Sequence, residues 1–100
     1  MNMQQMVMQA QKMQRELQKA QAELAKKEFK ASKAGLVTVT VLGSKEVKSI
    51  EIDADGFDAE NKEMIEELIA SSLNELFAQI DEENDAITER ITGRSGGFGF

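Results

Sequence analysis

Leu36-Val37-Thr38-Val39-Thr40-Val41 alternates strictly, with the valines on one side of an extended chain and the threonines on the other. A period of two residues suits a strand with one buried face and does not suit a helix. The stretches on either side extend this into a sheet. Gly35 breaks the chain just before it, and Phe29 and Ala31 form a weaker strand upstream. Gly43-Ser44-Lys45-Glu46 reads as a hairpin loop, and Ile50 and Ile52 then alternate with Ser49, Glu51 and Asp53. Residues 29–53 are therefore expected to form a three-stranded antiparallel meander, with the Val and Ile face buried.

The flanks change period. Residues 2–27 contain no Gly, no Pro and a single β-branched residue, Val7, among many good helix formers. A helix of that length spans about 39 Å. Met3, Met6, Ala10, Met13, Leu17, Ala20 and Leu24 recur at alternating spacings of three and four, the a/d seam of a coiled coil. Met1, Met3, Met6, Met8 and Met13 make the start of this helix soft and adaptable. A 100-residue chain has little else with which to cover such a helix, so the seam calls for a partner, most simply a second copy.

Downstream, Asp53-Ala54-Asp55-Gly56 reads as a turn, and Asp58 as the N-cap of a second long helix. Its apolar stripe is Met64, Ile65, Leu68, Ile69, Leu73, Leu76, Phe77 and Ile80. Beyond Ile80 the stripe thins among acidic residues, with only Ile87 and Ile91 continuing it, and Gly93 is the expected stop. Phe29, Phe57 and Phe77 read as core. The expected order is α-β-β-β-α, an α+β fold in a single domain over 1–92. Within it 1–28 is a projecting helix, 29–53 the strands and 58–92 the last helix, with 93–100 a flexible Gly-rich tail. One helix over three strands leaves a sheet edge exposed, which joining or packing two such sheets would remedy. Dimerisation through the sheet and helix core is thus expected.

Composition removes much chemistry. The chain has no Cys and no His, so thiol or imidazole nucleophiles, bases and metal ligands are excluded. No cofactor is expected. Asp53, Asp55, Asp58 and Glu60 do not match the calcium-loop pattern, because Gly56 falls fourth where that loop needs Gly sixth. No signal peptide is read at the start, and the longest apolar run falls far short of the ~20 residues of a membrane span. The expectation is a cytoplasmic, non-enzymatic protein that does not enter a membrane.

The net charge is −6, but its two signs are separated. Residues 1–33 hold seven basic and three acidic residues, and residues 34–100 hold five and fifteen. Lys12, Lys19 and Lys26 lie one heptad apart at position c, and Arg15 lies at f, all pointing away from the a/d seam. Such a stripe can follow phosphates while the seam stays covered, and Gln9, Gln11 and Gln18 could add neutral hydrogen bonds. Glu16 and Glu23, three residues before Lys19 and Lys26, would offset part of the charge. The candidate DNA-binding residues are Lys12, Arg15, Lys19 and Lys26. The candidate dimer and helix-packing residues are Met6, Ala10, Met13, Leu17, Ala20 and Leu24.

Three stretches in this order resemble the YbaB/EbfC family of bacterial nucleoid-associated proteins. They are Met8-Gln9-Ala10-Gln11-Lys12-Met13-Gln14, Gly35-Leu36-Val37-Thr38-Val39, and Asp58 to Asn74 with Met64-Ile65-Glu66-Glu67-Leu68-Ile69. The Gly-rich, Phe-ended tail also fits. The resemblance implies a homodimer with central sheets and projecting helices, binding double-stranded DNA in the nucleoid with a role in its organisation or in gene regulation. It also hints at replication or recombination partners. Many relatives place Lys or Arg soon after the family's Asn, whereas here Asn74 leads into Glu75 and then Asp81-Glu82-Glu83. The first helix would then carry the DNA contacts. A different reading is a coiled-coil adaptor whose Met-rich seam captures a helix of another protein, without DNA binding.

Overall fold

A computed structural model describes residues 2–93. The chain runs α1 (Met3–Lys26), β1 (Glu28–Lys33), β2 (Val37–Leu42), β3 (Val47–Ile52) and α2 (Lys62–Thr92). The strands form an antiparallel sheet in the order β1-β2-β3. This is the α+β architecture read from the sequence.

The β1–β2 turn, Lys33-Ala34-Gly35-Leu36, has positive φ at both central residues, 57° at Ala34 and 62° at Gly35. Two central residues of positive φ match the twist of a two-residue hairpin, and only Gly adopts that conformation without steric cost. In register, Val41 faces Phe29 and Val47, Val39 faces Ala31 and Ile50, and Val37 faces Lys33 and Ile52. Val37, Val39 and Val41 are fully buried on this face, beneath the helical stripe of Ile65, Leu76 and Ile80. The opposite face is polar, with Ser32 and Thr38 hydroxyls 3.0 Å apart. Thr40 is nonetheless buried there, on the central strand between Lys30 and Ser49.

Three expectations are corrected. Ile50 and Val47 are each 43% exposed, because α2 lies across β1 and β2 and leaves the β3 edge uncovered. Phe57 is 71% exposed rather than core. It sits just past a 3-10 turn, Ala54–Gly56, and lines an open cleft of about 420 Å³ with Lys62 and Ile65. The last helix does not start at 58. Asp58 caps a separate 3-10 turn, Ala59–Asn61, accepting a 2.9 Å hydrogen bond from the Glu60 amide, and α2 proper follows from Lys62. Gly93 ends α2 in the left-handed conformation (φ 73°), as its position suggested. The expected tail beyond it, residues 94–100, lies outside the described residues.

Candidate nucleic-acid interface

The arm starts where the Asn2 side chain accepts a 2.8 Å hydrogen bond from the Gln5 amide, a helix N-cap. Its other end is fixed to the β2–β3 hairpin. Carbonyls at the end of a helix lack internal partners. Here those of Ala25 and Lys27 accept from the amides of Ser44 (3.2 Å) and Gly43 (2.8 Å). Gly43 has no substitute at this point, since a Cβ there would lie 1.8 Å from the Leu24 carbonyl oxygen. The hairpin therefore sets where α1 leaves the body.

α2 is 31 residues long and outruns the sheet, so its last turns run antiparallel to α1. Gln21 donates to Asn84 (3.4 Å), and Lys27 pairs with Glu83 at 2.7 Å. Ile87 lies beside Ala20 and Leu24, and Ile91 beside Glu16 and Ala20. The base of the seam is thus covered within the chain, which corrects the expectation that the whole seam awaits a second copy. Leu24 is buried, and Ala20, Leu17 and Met13 are half-buried. Ala10 and Met6 are exposed, as is Met3 at 79%.

Lys12, Arg15, Lys19 and Lys26 are all exposed. Among the described residues none of the four forms an ion pair, and the offset expected from Glu16 and Glu23 is not realised as contacts. Four of the five lysines of the strands, hairpin and α2 behave differently, the exception being Lys30 on β1, which is exposed and makes no ion pair among the described residues. Lys33 pairs with Glu75 (2.6 Å), Lys45 with Asp81 (2.7 Å), Lys48 with Glu28 (3.0 Å) and Lys62 with Glu66 (3.1 Å). Lys27, at the junction, also lies 5.1 Å from the Phe29 ring centroid. From Lys12 to Lys26 the free cations extend along roughly 21 Å of helix axis.

The structure adds Arg90 to this surface. It lines one cleft with Lys19 and a second with Ala20 and Lys27, and it also makes no ion pair among the described residues. No sequence signal tied Arg90 to α1, because only the antiparallel helix pairing brings them together. Among the described residues no group of three or more His, Cys, Asp or Glu is arranged to hold a metal ion. No described helix is long and apolar enough to cross a membrane.

Comparison with known proteins places these features in context. Residues 1–95 match the model of the YbaB/EbfC DNA-binding family. A nucleoid-associated protein of Clostridium botulinum (strain Eklund 17B / Type B) is 46% identical over 93 residues, 92% of this chain and 82% of that protein. One from Agathobacter rectalis is 41% identical over 97 residues, 96% of this chain and 86% of that protein. One from Lachnospira eligens is 43% identical over 74 residues, and this chain spans 64% of its length.

Proposed function

Because the chain belongs to the YbaB/EbfC DNA-binding family, we propose that it is a homodimeric nucleoid protein that holds duplex DNA along its α1 arms. The family is one of nucleoid-associated DNA-binding proteins and not of enzymes. One observation carries the assignment to the arms. Lys12, Arg15, Lys19 and Lys26 are exposed and unpaired among the described residues, while Lys33, Lys45, Lys48 and Lys62 of the body are engaged with carboxylates and Lys30 and Arg90 are the exposed exceptions. A cation without a protein partner can replace a condensed counterion on DNA, and the entropy of releasing that ion drives binding. The acidic body repels the duplex and confines contact to the arms. This chemistry reads backbone charge and not base identity, so binding has little sequence preference.

The homodimer is supported by what a single chain leaves open. β3 is a sheet edge, and Val47, Ile50, Phe57 and Met64 are large apolar residues exposed near or beyond it. A second copy covering this side would hold two arms, with eight cations between them. If about half to all of these reach phosphates, log K falls against log salt with a slope of about −4 to −7.

A mobility-shift titration of duplex DNA tests the reading with wild type and Lys12→Glu/Lys19→Glu at two salt concentrations. The wild type should shift the duplex at about 50 mM salt and release it as salt rises, and the reversal should weaken binding by ~100-fold or more. Absence of a wild-type shift, or equal binding by the reversal, defeats the arm assignment.

A further inference from the structure

The seam of α1 has cover along only part of its length. Ile87 and Ile91 of α2 lie over it near Leu24 and Ala20. α2 then stops at Thr92, with Gly93 in the left-handed conformation. The a/d spacing does not stop there. It continues through Met13 and Ala10 to Met6 and Met3, of which the last three are exposed. Residues 1–11 contain no charged side chain, in a chain where 30% of residues are charged. An uncharged a/d seam on a helix fits another such helix, and nothing in it repels a copy of itself.

We infer that this uncovered seam takes the same seam of a second copy, with the two helices antiparallel. Three observations select that direction. A parallel neighbour, followed down the seam, would run into the space held by α2 beside Leu24 and Ala20. An antiparallel neighbour instead ends where α2 ends, so α2 and the incoming tip cover one seam in succession. The side-chain pattern is also symmetric about residue 8. Reversal sets Met3 against Met13 and Met6 against Ala10, so each exposed seam methionine faces an apolar side chain. The small Ala10 leaves room for the long Met6 across from it. Finally, the α1 N-terminus has no acidic residue in its first turn. Its positive dipole end would come against the negative end of the partner's α2.

The contact is isologous and leaves positions c and f, with Lys12, Arg15 and Lys19, facing outward. Combined with a dimer held by the sheets, it links dimers into larger assemblies. It does not require DNA, so it can fail without touching the DNA-binding reading.

The chain has no cysteine, so introduced thiols are the only ones present. Met3→Cys and Met13→Cys variants are oxidised separately and as a mixture, without DNA, after circular dichroism shows that both retain wild-type helicity. Antiparallel pairing sets position 3 beside position 13 of the second copy. It holds each position roughly 15 Å along the axis from its own equivalent, beyond disulfide reach. The mixture should therefore yield at least about ten-fold more cross-linked dimer than either variant alone. Cross-linking of each variant with itself would mean parallel arms and overturns the inference. Absence of product in all three samples would leave the seam to another occupant, such as residues 94–100, and overturns it equally. As a check that introduces no thiol, Met6→Asp should lower the wild-type sedimentation coefficient; unchanged sedimentation contradicts the pairing.

Discussion

The arm and the body hold most of their cations in opposite states. In the body, Lys33, Lys45, Lys48 and Lys62 reach carboxylates at 2.6–3.1 Å. On the arm, Lys12, Arg15, Lys19 and Lys26 have no such partner among the described residues. The difference lies in position and not in residue type. Lys33 and Lys45 lie opposite Glu75 and Asp81 on α2, whereas Lys12 lies past the end of that helix and Lys19 and Lys26 stand at position c, facing away from the seam it covers. Exposed pairs add little stability, on the order of 0–1 kcal/mol each. Their larger consequence is to neutralise much of the body's positive charge, so that, Lys30 and Arg90 apart, the unpaired cations of the described residues lie on α1.

The contrast needs an arm held in place and a body that forms the dimer, and each requirement can be attacked. The largest effect is expected at the uncovered edge. Val47→Asp/Ile50→Asp places four carboxylates in the proposed dimer interface and should raise the dimer dissociation constant by ~1,000-fold, or about 4 kcal/mol. Light scattering at micromolar concentration should then report a clearly lower average mass than the wild type, because the sheet-held contact is lost. An unchanged mass would move the interface elsewhere. Because both residues are 43% exposed in the single chain, the folded protomer should survive the change.

Next in size is the base of the arm. Gly43→Ala drives a Cβ into the Leu24 carbonyl and forces α1 from the hairpin. The cost should be about 2–3 kcal/mol, roughly 10–20 °C in Tm for a domain of this size. Differential scanning calorimetry checks this, and a shift of a degree or two would show that the arm is not anchored there. The smallest effect should be favourable. Ala34 holds φ at 57°, a conformation that Gly adopts more cheaply. Ala34→Gly, less the entropy Gly loses on folding, should stabilise the body by about 0.5 kcal/mol. DNA affinity should stay unchanged in the same variant, which separates body stability from arm binding.

Local periodicity made most of the fold legible. The Val-Thr alternation in β2, the a/d seam of α1 and the stripe from Ile65 to Ile80 each specify an element and its buried face. Long-range placement was not legible in the same way. Ile87 and Ile91, isolated among Asp85, Glu89 and Arg90, look like a fading stripe until α2 is laid beside α1. Arg90 joins the cationic surface for the same reason. Phe57 misled because an apolar residue beside a turn gives no sign of whether anything covers it. Asp58 did act as a cap, but of a short 3-10 turn, since capping chemistry does not tell the two helix types apart. At the candidate site, the sequence placed the cations on one stripe. Whether Glu16 and Glu23 would engage them depended on rotamers and not on spacing.

The division between arm and body is tested most directly by the salt dependence of duplex binding. Fluorescence anisotropy would compare wild type with Lys12→Gln/Lys19→Gln on the arm and Lys33→Gln/Lys48→Gln in the body. Each double variant removes the same charge, four units per dimer. The arm pair should reduce the magnitude of the log K against log salt slope by about 3–4, and the body pair by less than about 1. Equal losses from the two variants would mean that DNA senses the chain's total charge, contradicting its placement along α1.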